Sequence, residues 1–134
     1  MPELAEVEFF RKQWNPGIKR KIRAIHLHAG KRIFRGVPAG KLKKTVPGKV
    51  LLSSHARGKQ MLFRFGQDGW LGIHLGMSGK LSTQPVDFRP GPHDHLILRT
   101  GGPSLVFTDP RLFGRIRFHH SPSPPDWWTR LPPS

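Results

Sequence analysis

From Lys49 onward, apolar and β-branched residues arrive in runs of five to seven, separated by stretches rich in turn-forming residues. Runs this short read as strands, and the chain's 14 Pro and 15 Gly leave little room for long elements between them. The runs are Lys49–His55, Gln60–Phe65, Trp70–Leu75, His95–Thr100, Ser104–Thr108 and Arg115–His119. Gly66-Gln67-Asp68-Gly69 and Gly101-Gly102-Pro103 read as hairpin turns between neighbouring runs. Upstream, Ile18–Leu27 is strand-like, with Arg23, Ile25 and Leu27 alternating against Ile22, Ala24 and His26. Only the N-terminus has the helical period: Leu4, Val7, Phe10 and Trp14 recur over residues 3–14, and Asn15-Pro16-Gly17 ends the pattern. The residues therefore predict a mainly β sandwich or barrel with one amphipathic helix on its edge or end. Residues 84–92 read as a loop. Residues 121–134 hold five Pro and little that could pair in a sheet, so they read as a tail or linker.

Charge narrows the function. Lys and Arg number 23 against 8 Asp and Glu, for a formal net charge of +15 over 134 residues. Such a chain repels itself unless a polyanion neutralises it; nucleic acid is the first candidate and an anionic membrane surface the second. Cysteine is absent, which excludes a disulfide scaffold and any cysteine-ligated zinc or iron–sulfur site in this chain. There is no apolar run near 18 residues, and the acidic start is unlike a signal peptide. The expected location is cytoplasmic, at the nucleoid. The acids are unevenly placed: Glu3, Glu6 and Glu8 fall in the first eight residues and only five Asp follow. Carboxylates suit the positive end of a helix dipole. They also suit a site where acid chemistry is needed beside an anionic polymer.

Five segments could carry chemistry. Proline at position 2 stands in a context where the initiator Met is removed, which would expose a secondary amine with an unperturbed pKa near 8. Such an amine can form a Schiff base with a sugar carbon, and a neighbouring carboxylate can serve as proton donor. The simpler reading of Pro2 alone is a first-turn helix proline. Lys59, in Gly58-Lys59-Gln60, could reach a phosphate or be a solvated edge lysine. In His74-Leu75-Gly76-Met77-Ser78-Gly79 the glycines could push Met77 outward as a wedge into a duplex, or flank a core methionine. His93-Asp94-His95 is a weak metal signal and reads better as a hydrogen-bonded loop or strand end. In Asp109-Pro110-Arg111-Leu112-Phe113-Gly114, Arg111 could replace the bonds of an orphaned base and Phe113 could stack or wedge; the alternative is a tight turn with Phe113 in the core.

Taken in order, these five motifs resemble the N-terminal domain of the formamidopyrimidine-DNA glycosylase / endonuclease VIII family, from Met1 to about Leu131. The resemblance implies a two-layer β-sandwich with an N-terminal α-helix over residues 1–120 and a Pro-rich linker or tail over 121–134. It implies a base-excision repair enzyme that flips an oxidised purine (formamidopyrimidine or 8-oxoguanine) out of duplex DNA and cuts the abasic strand through a proline Schiff base. Pro2 would be the nucleophile and Glu3 the acid that protonates the sugar ring oxygen. Glu6 would serve the base pocket and proton handling. Lys59 would bind phosphate near the lesion and His74 would touch the backbone. Met77, Arg111 and Phe113 would fill the void left by the flipped base. Two substitutions depart from the family pattern: Ala5 replaces a usual Pro, and Leu112 replaces a frequent second Arg. The family's helix–two-turn–helix and zinc-finger domains are expected to be absent from these residues, so no cofactor is expected. The expected consequences are weakened turnover, self-association or a partner that supplies the missing half. The competing class is a non-catalytic module that binds damaged DNA; a basic β-barrel for RNA explains the charge but neither Pro2-Glu3 nor residues 109–114.

Overall fold

A computed structural model describes residues 4–28, 34, 37 and 39–132. Among the described residues the named elements are eight strands, three α-helices and the 3-10 turn Asn15–Gly17. Helix α1 (Leu4–Lys12) leads into the turn Asn15–Gly17, then β1 (Ala24–Leu27) and α2 (Ala39–Thr45). Seven strands follow: β2 (Leu51–Arg57), β3 (Gln60–Phe65), β4 (Gly69–His74), β5 (Lys80–Gln84), β6 (Asp94–Arg99), β7 (Ser104–Thr108) and β8 (Arg115–His120). Helix α3 (Asp126–Thr129) comes last. The strands make two four-stranded sheets in the orders β1-β6-β7-β5 and β2-β3-β4-β8, with every pairing antiparallel. The architecture is the expected two-layer sandwich with an N-terminal helix.

The core lies between the sheets. Strand alternation sends Met61, Phe63, Phe65, Leu71, Ile73 and Ile116 inward from one layer, against Leu81, Leu96, Leu98, Leu105 and Phe107 from the other. Helix α1 closes one flank with Val7, fully buried. Trp14, just beyond it, is also fully buried, stacks 4.8 Å from Phe63 and donates its indole N–H to the Val106 carbonyl at 3.3 Å. Arg11 ties the helix to β2 by donating to Ser54 Oγ at 2.8 Å while pairing with Glu8 at 2.7 Å. Thr83 donates its hydroxyl to the Gln13 carbonyl, which fastens β5 to the helix end. Leu4, the first member of the apolar series, is 54% exposed rather than packed.

Four elements depart from the sequence expectation. The strand-like run 18–27 changes partner midway: Lys19 and Ile22 donate to Leu51 and Lys49 beside β2, whereas Arg23 onward bonds β6. The run therefore crosses from one sheet to the other, and only its second half is a strand. Helix α2 was not expected, because Leu42 is its one fully buried side chain among lysines and no apolar stripe marks it. β5 was not expected either, since it carries one apolar residue, Leu81.

The fourth concerns residues 121–132. They enter no sheet, as proline predicts, yet they are docked rather than trailing. Trp128, 5% exposed, packs on Leu62 and Trp70 on the outer face of the second sheet. Arg57 donates to the Trp128 carbonyl at 3.1 Å, and Trp70 donates to the Ser121 carbonyl at 2.8 Å. Trp127 lies so close to Gly72 that a Cβ there would fall 2.4 Å from the indole. Burying an aromatic of this size is worth about 2–3 kcal/mol, enough to hold a segment that makes no ladder hydrogen bonds.

Candidate nucleic-acid interface

The register of the second sheet places one row of residues across its end: Arg57, Gln60, His74 and Arg115 are successive cross-strand partners. Everything predicted for DNA contact projects from this end. The turn Gly58-Lys59 joins the first two members of the row. His74 opens the β4–β5 loop that carries Met77, and Arg115 follows the β7–β8 loop that carries Arg111 and Phe113.

These two loops are neighbours of necessity. Each crosses between the layers, and β4 pairs with β8 while β5 pairs with β7. Asp109, fully buried, locks them together. One carboxyl oxygen accepts the Ser78 hydroxyl at 2.6 Å and the other accepts the Gly114 N–H at 2.7 Å. Ser78 Oγ in turn accepts the Arg111 N–H at 3.2 Å. The Asp109 peptide is held as well, its N–H donating to His93 and its carbonyl accepting His95 Nε2–H, both at 2.9 Å. Gly76, at φ 65°, runs against this loop; a Cβ there would lie 2.5 Å from the Phe113 carbonyl carbon and oxygen.

The lock decides what faces solvent. Leu112 adopts φ 60° and packs against the core. That turn leaves Arg111 and Phe113 outside, with the guanidinium carbon 5.4 Å from the centre of the Phe113 ring. Phe113 is 47% exposed and Met77 54%. The alternative in which either side chain sits in the core is therefore overturned by the structure. Leu112, one of the two departures from the family pattern, turns toward the core instead of toward a groove.

His74 is oriented by its own loop, since Nδ1 accepts the Gly76 N–H at 3.1 Å. The proton of the neutral ring is then on Nε2. Burial first, then the positive charges of Arg117 and Lys59, hold its pKa below the ordinary 6.5. His26 and His55 are lowered as well, each mainly by burial. For all three the folded state favours the neutral ring, so their contribution is complete above pH 6.5 and is lost as pH falls below it. The thermal midpoint should therefore drop between pH 7.5 and 5.5, and His74→Gln should flatten part of that drop.

Lys59 shares a notch of about 430 Å³ with Leu4, Arg57, Gln60, Leu131 and Pro132, which brings the start of α1 to the same end of the sheet. Pro2 and Glu3 lie outside the described residues. Glu6 is exposed on the first turn of α1. His93-Asp94-His95 is a strand start, as expected: the Asp94 carboxylate accepts Thr108 at 2.6 Å and the Gly91 N–H at 2.7 Å. Sequence reasoning assigned no role to Asp109 or Ser78, although both lie inside its motifs. A single buried carboxylate at a strand end has no periodic signature, and its partner Ser78 is 31 residues away.

Fold and site together define a two-layer β-sandwich domain whose paired crossover loops meet at a cationic end of the second sheet. The model of the formamidopyrimidine-DNA glycosylase N-terminal domain matches residues 1–116, and the chain belongs to that family. It is 42% identical over 121 residues to the formamidopyrimidine-DNA glycosylase of Janthinobacterium sp. (strain Marseille), a match that covers 89% of this chain and 43% of that protein. It is 40% identical over 129 residues to the Dechloromonas aromatica (strain RCB) protein of the same name, covering 93% and 45%. Among solved structures, Lactococcus lactis Fpg (MutM) with DNA containing N7-benzyl-Fapy-dG superimposes with TM-score 0.80 at 32% identity, covering 89% of this chain and 44% of that one. MutM with DNA containing carbocyclic 8-oxo-G gives the same score and identity, covering 89% and 45%. The chain thus spans less than half the length of the relatives it matches. Among the described residues, no helix is long and apolar enough to cross a membrane.

Proposed function

We propose that this chain is the catalytic half of a base-excision repair glycosylase and abasic-site lyase acting on oxidised purines in duplex DNA. The observation that carries the reading is the outward presentation of Met77 and Phe113 beside Arg111, on loops locked by a buried carboxylate, at the end of the sheet that also bears Lys59 and His74. Leaving two large apolar side chains in water forgoes about 1.5–3 kcal/mol each. A duplex whose base has been flipped out gives them a stacked, dry place to go. Arg111 has the donor geometry to replace the lost pairing of the orphan base.

In this reading the Pro2 amine, freed by removal of Met1, attacks C1′ of the flipped nucleotide. The glycosidic C–N bond breaks, the base leaves with a proton, and Glu3 protonates the ring oxygen as the sugar opens to an iminium. Glu6 serves the base pocket and the following proton transfers. Eliminations at the 3′ and then the 5′ phosphate cut the strand. Lys59, and His74 through Nε2–H, hold the flanking phosphates. A duplex DNA substrate is consistent with a location at the cytoplasmic nucleoid.

Borohydride trapping tests this directly. Reduction of the iminium on a duplex with one abasic site should give a covalent protein–DNA adduct, provided the intact mass shows Met1 removed. Acetylation of the Pro2 nitrogen should abolish the adduct. A free Pro2 that gives none, with binding to the abasic duplex retained, would favour the non-catalytic binding module.

A further inference from the structure

The outer face of β8 carries charge that the repair site does not use. Arg115, Arg117 and His119 alternate on the same side of this edge strand, opposite His74, Gly72 and Trp70 of β4. Among the described residues none of the three is in an ion pair; the pairs present are Arg11–Glu8, Lys49–Asp68 and His120–Asp68. They line a groove of about 600 Å³ together with Ser121, Ser123 and Trp127, and Asp126 is the one acid among its described lining residues. Arg117 is held in place, its guanidinium carbon 4.4 Å from the centre of the Trp127 ring. Burial, and next the charge of Arg115, lower its pKa from the ordinary arginine value. Two neighbouring arginines with little acid between them are a site that an anion relieves.

We propose that Arg115, Arg117 and His119 form a second phosphate-binding track, which grips the DNA backbone away from the lesion. It rests on the glycosylase reading above, because it begins beside His74 and runs along β8 away from the loops that meet the damaged base. Alternate strand residues stand about 6.7 Å apart, so the track is about 13 Å long. One DNA strand rises about 3.4 Å per nucleotide, so the track spans about four nucleotides. Charge on an edge strand also discourages edge-to-edge pairing. That role does not require the stacking of Arg117 on Trp127, whereas presenting a guanidinium to phosphate at a fixed place does.

The test is the salt dependence of binding of this chain to two fluorescent duplexes, one with a tetrahydrofuran abasic analogue and one undamaged. Each lost phosphate contact lowers the slope of log affinity against log salt by about 0.9. R115Q/R117Q should lower it by about 1.8 on both duplexes, with the preference for the abasic analogue kept. R115Q alone changes an exposed side chain with little risk to packing and should lower it by about 0.9. K43Q/K44Q removes the same charge from α2, beside the other sheet, and should leave the slope unchanged. A parental slope in R115Q/R117Q and R115Q, or an equal fall in K43Q/K44Q, overturns the track. If the parent shows no preference for the abasic analogue, the damage-recognition reading fails instead, and the slopes still decide whether β8 contacts DNA.

Discussion

Asp109→Ala should lower the thermal midpoint by roughly 10–20 °C and abolish preferential binding to a lesion duplex, although no side chain expected at the DNA is altered. The carboxyl group is fully buried and accepts from Ser78 and Gly114. Hydrogen bonds to such a group contribute about 1.5–3 kcal/mol each, and the Gly114 N–H would remain buried without this acceptor. The sum, about 3–6 kcal/mol, is a large share of the 5–15 kcal/mol that typically holds a domain together. Ser78→Ala removes the donor to one carboxyl oxygen and the acceptor of the Arg111 N–H, and should cost about 1–3 kcal/mol. Differential scanning calorimetry of the three proteins separates these values. A midpoint for Asp109→Ala within a few degrees of the parent would mean that packing of Leu112 holds the loops without the carboxylate.

Gly76→Ala should impair damage recognition as strongly. Alanine at φ 65° carries a penalty of about 1–2 kcal/mol. The new methyl would also sit 2.5 Å from the Phe113 carbonyl and 2.7 Å from the Gly114 nitrogen. Both are backbone atoms, so no side chain can rotate away and the two loops must part. Met77 then shifts relative to Phe113 and Arg111, and a displacement near 1 Å in a positioned site costs about 100-fold in rate. The comparison is Gly40→Ala, where a Cβ meets nothing within 4 Å and α2 gains a better helix former. Single-turnover adduct formation should fall about 100-fold for Gly76→Ala and stay at the parental level for Gly40→Ala. Equal rates for the two variants would show that the loops work independently.

The strands were legible where local chemistry and tertiary role agree. β3 and β7 begin and end where the apolar runs do, because turn residues bracket them and their side chains are buried by the facing sheet. The N-terminal helix and its stop ahead of Asn15-Pro16-Gly17 were legible for the same reason. α2 and β5 were not. Each has a single fully committed apolar side chain, Leu42 or Leu81, and one residue has no period. The docking of residues 126–129 was hidden too, since proline content announces only that no ladder forms and says nothing of where Trp127 and Trp128 find a surface.

The sequence by itself determined which residue types are on offer: Pro2 behind the initiator Met with Glu3, Glu6 and Glu8 close by, a cationic body, and Met77, Arg111 and Phe113 in loops marked by Gly and Pro. It also determined the mainly β class, because runs of five to seven residues between turns bury a core by stacking sheets or closing one on itself. Tertiary structure alone decided which of those side chains face outward. Whether Phe113 is core or wedge depends on the left-handed turn at Leu112 and on a buried Asp109 bonded to Ser78 on the other loop. Both depend on two crossover loops meeting where β4 pairs with β8 and β5 with β7. Residue type and spacing are local properties, whereas exposure is set by contacts between segments far apart in the chain.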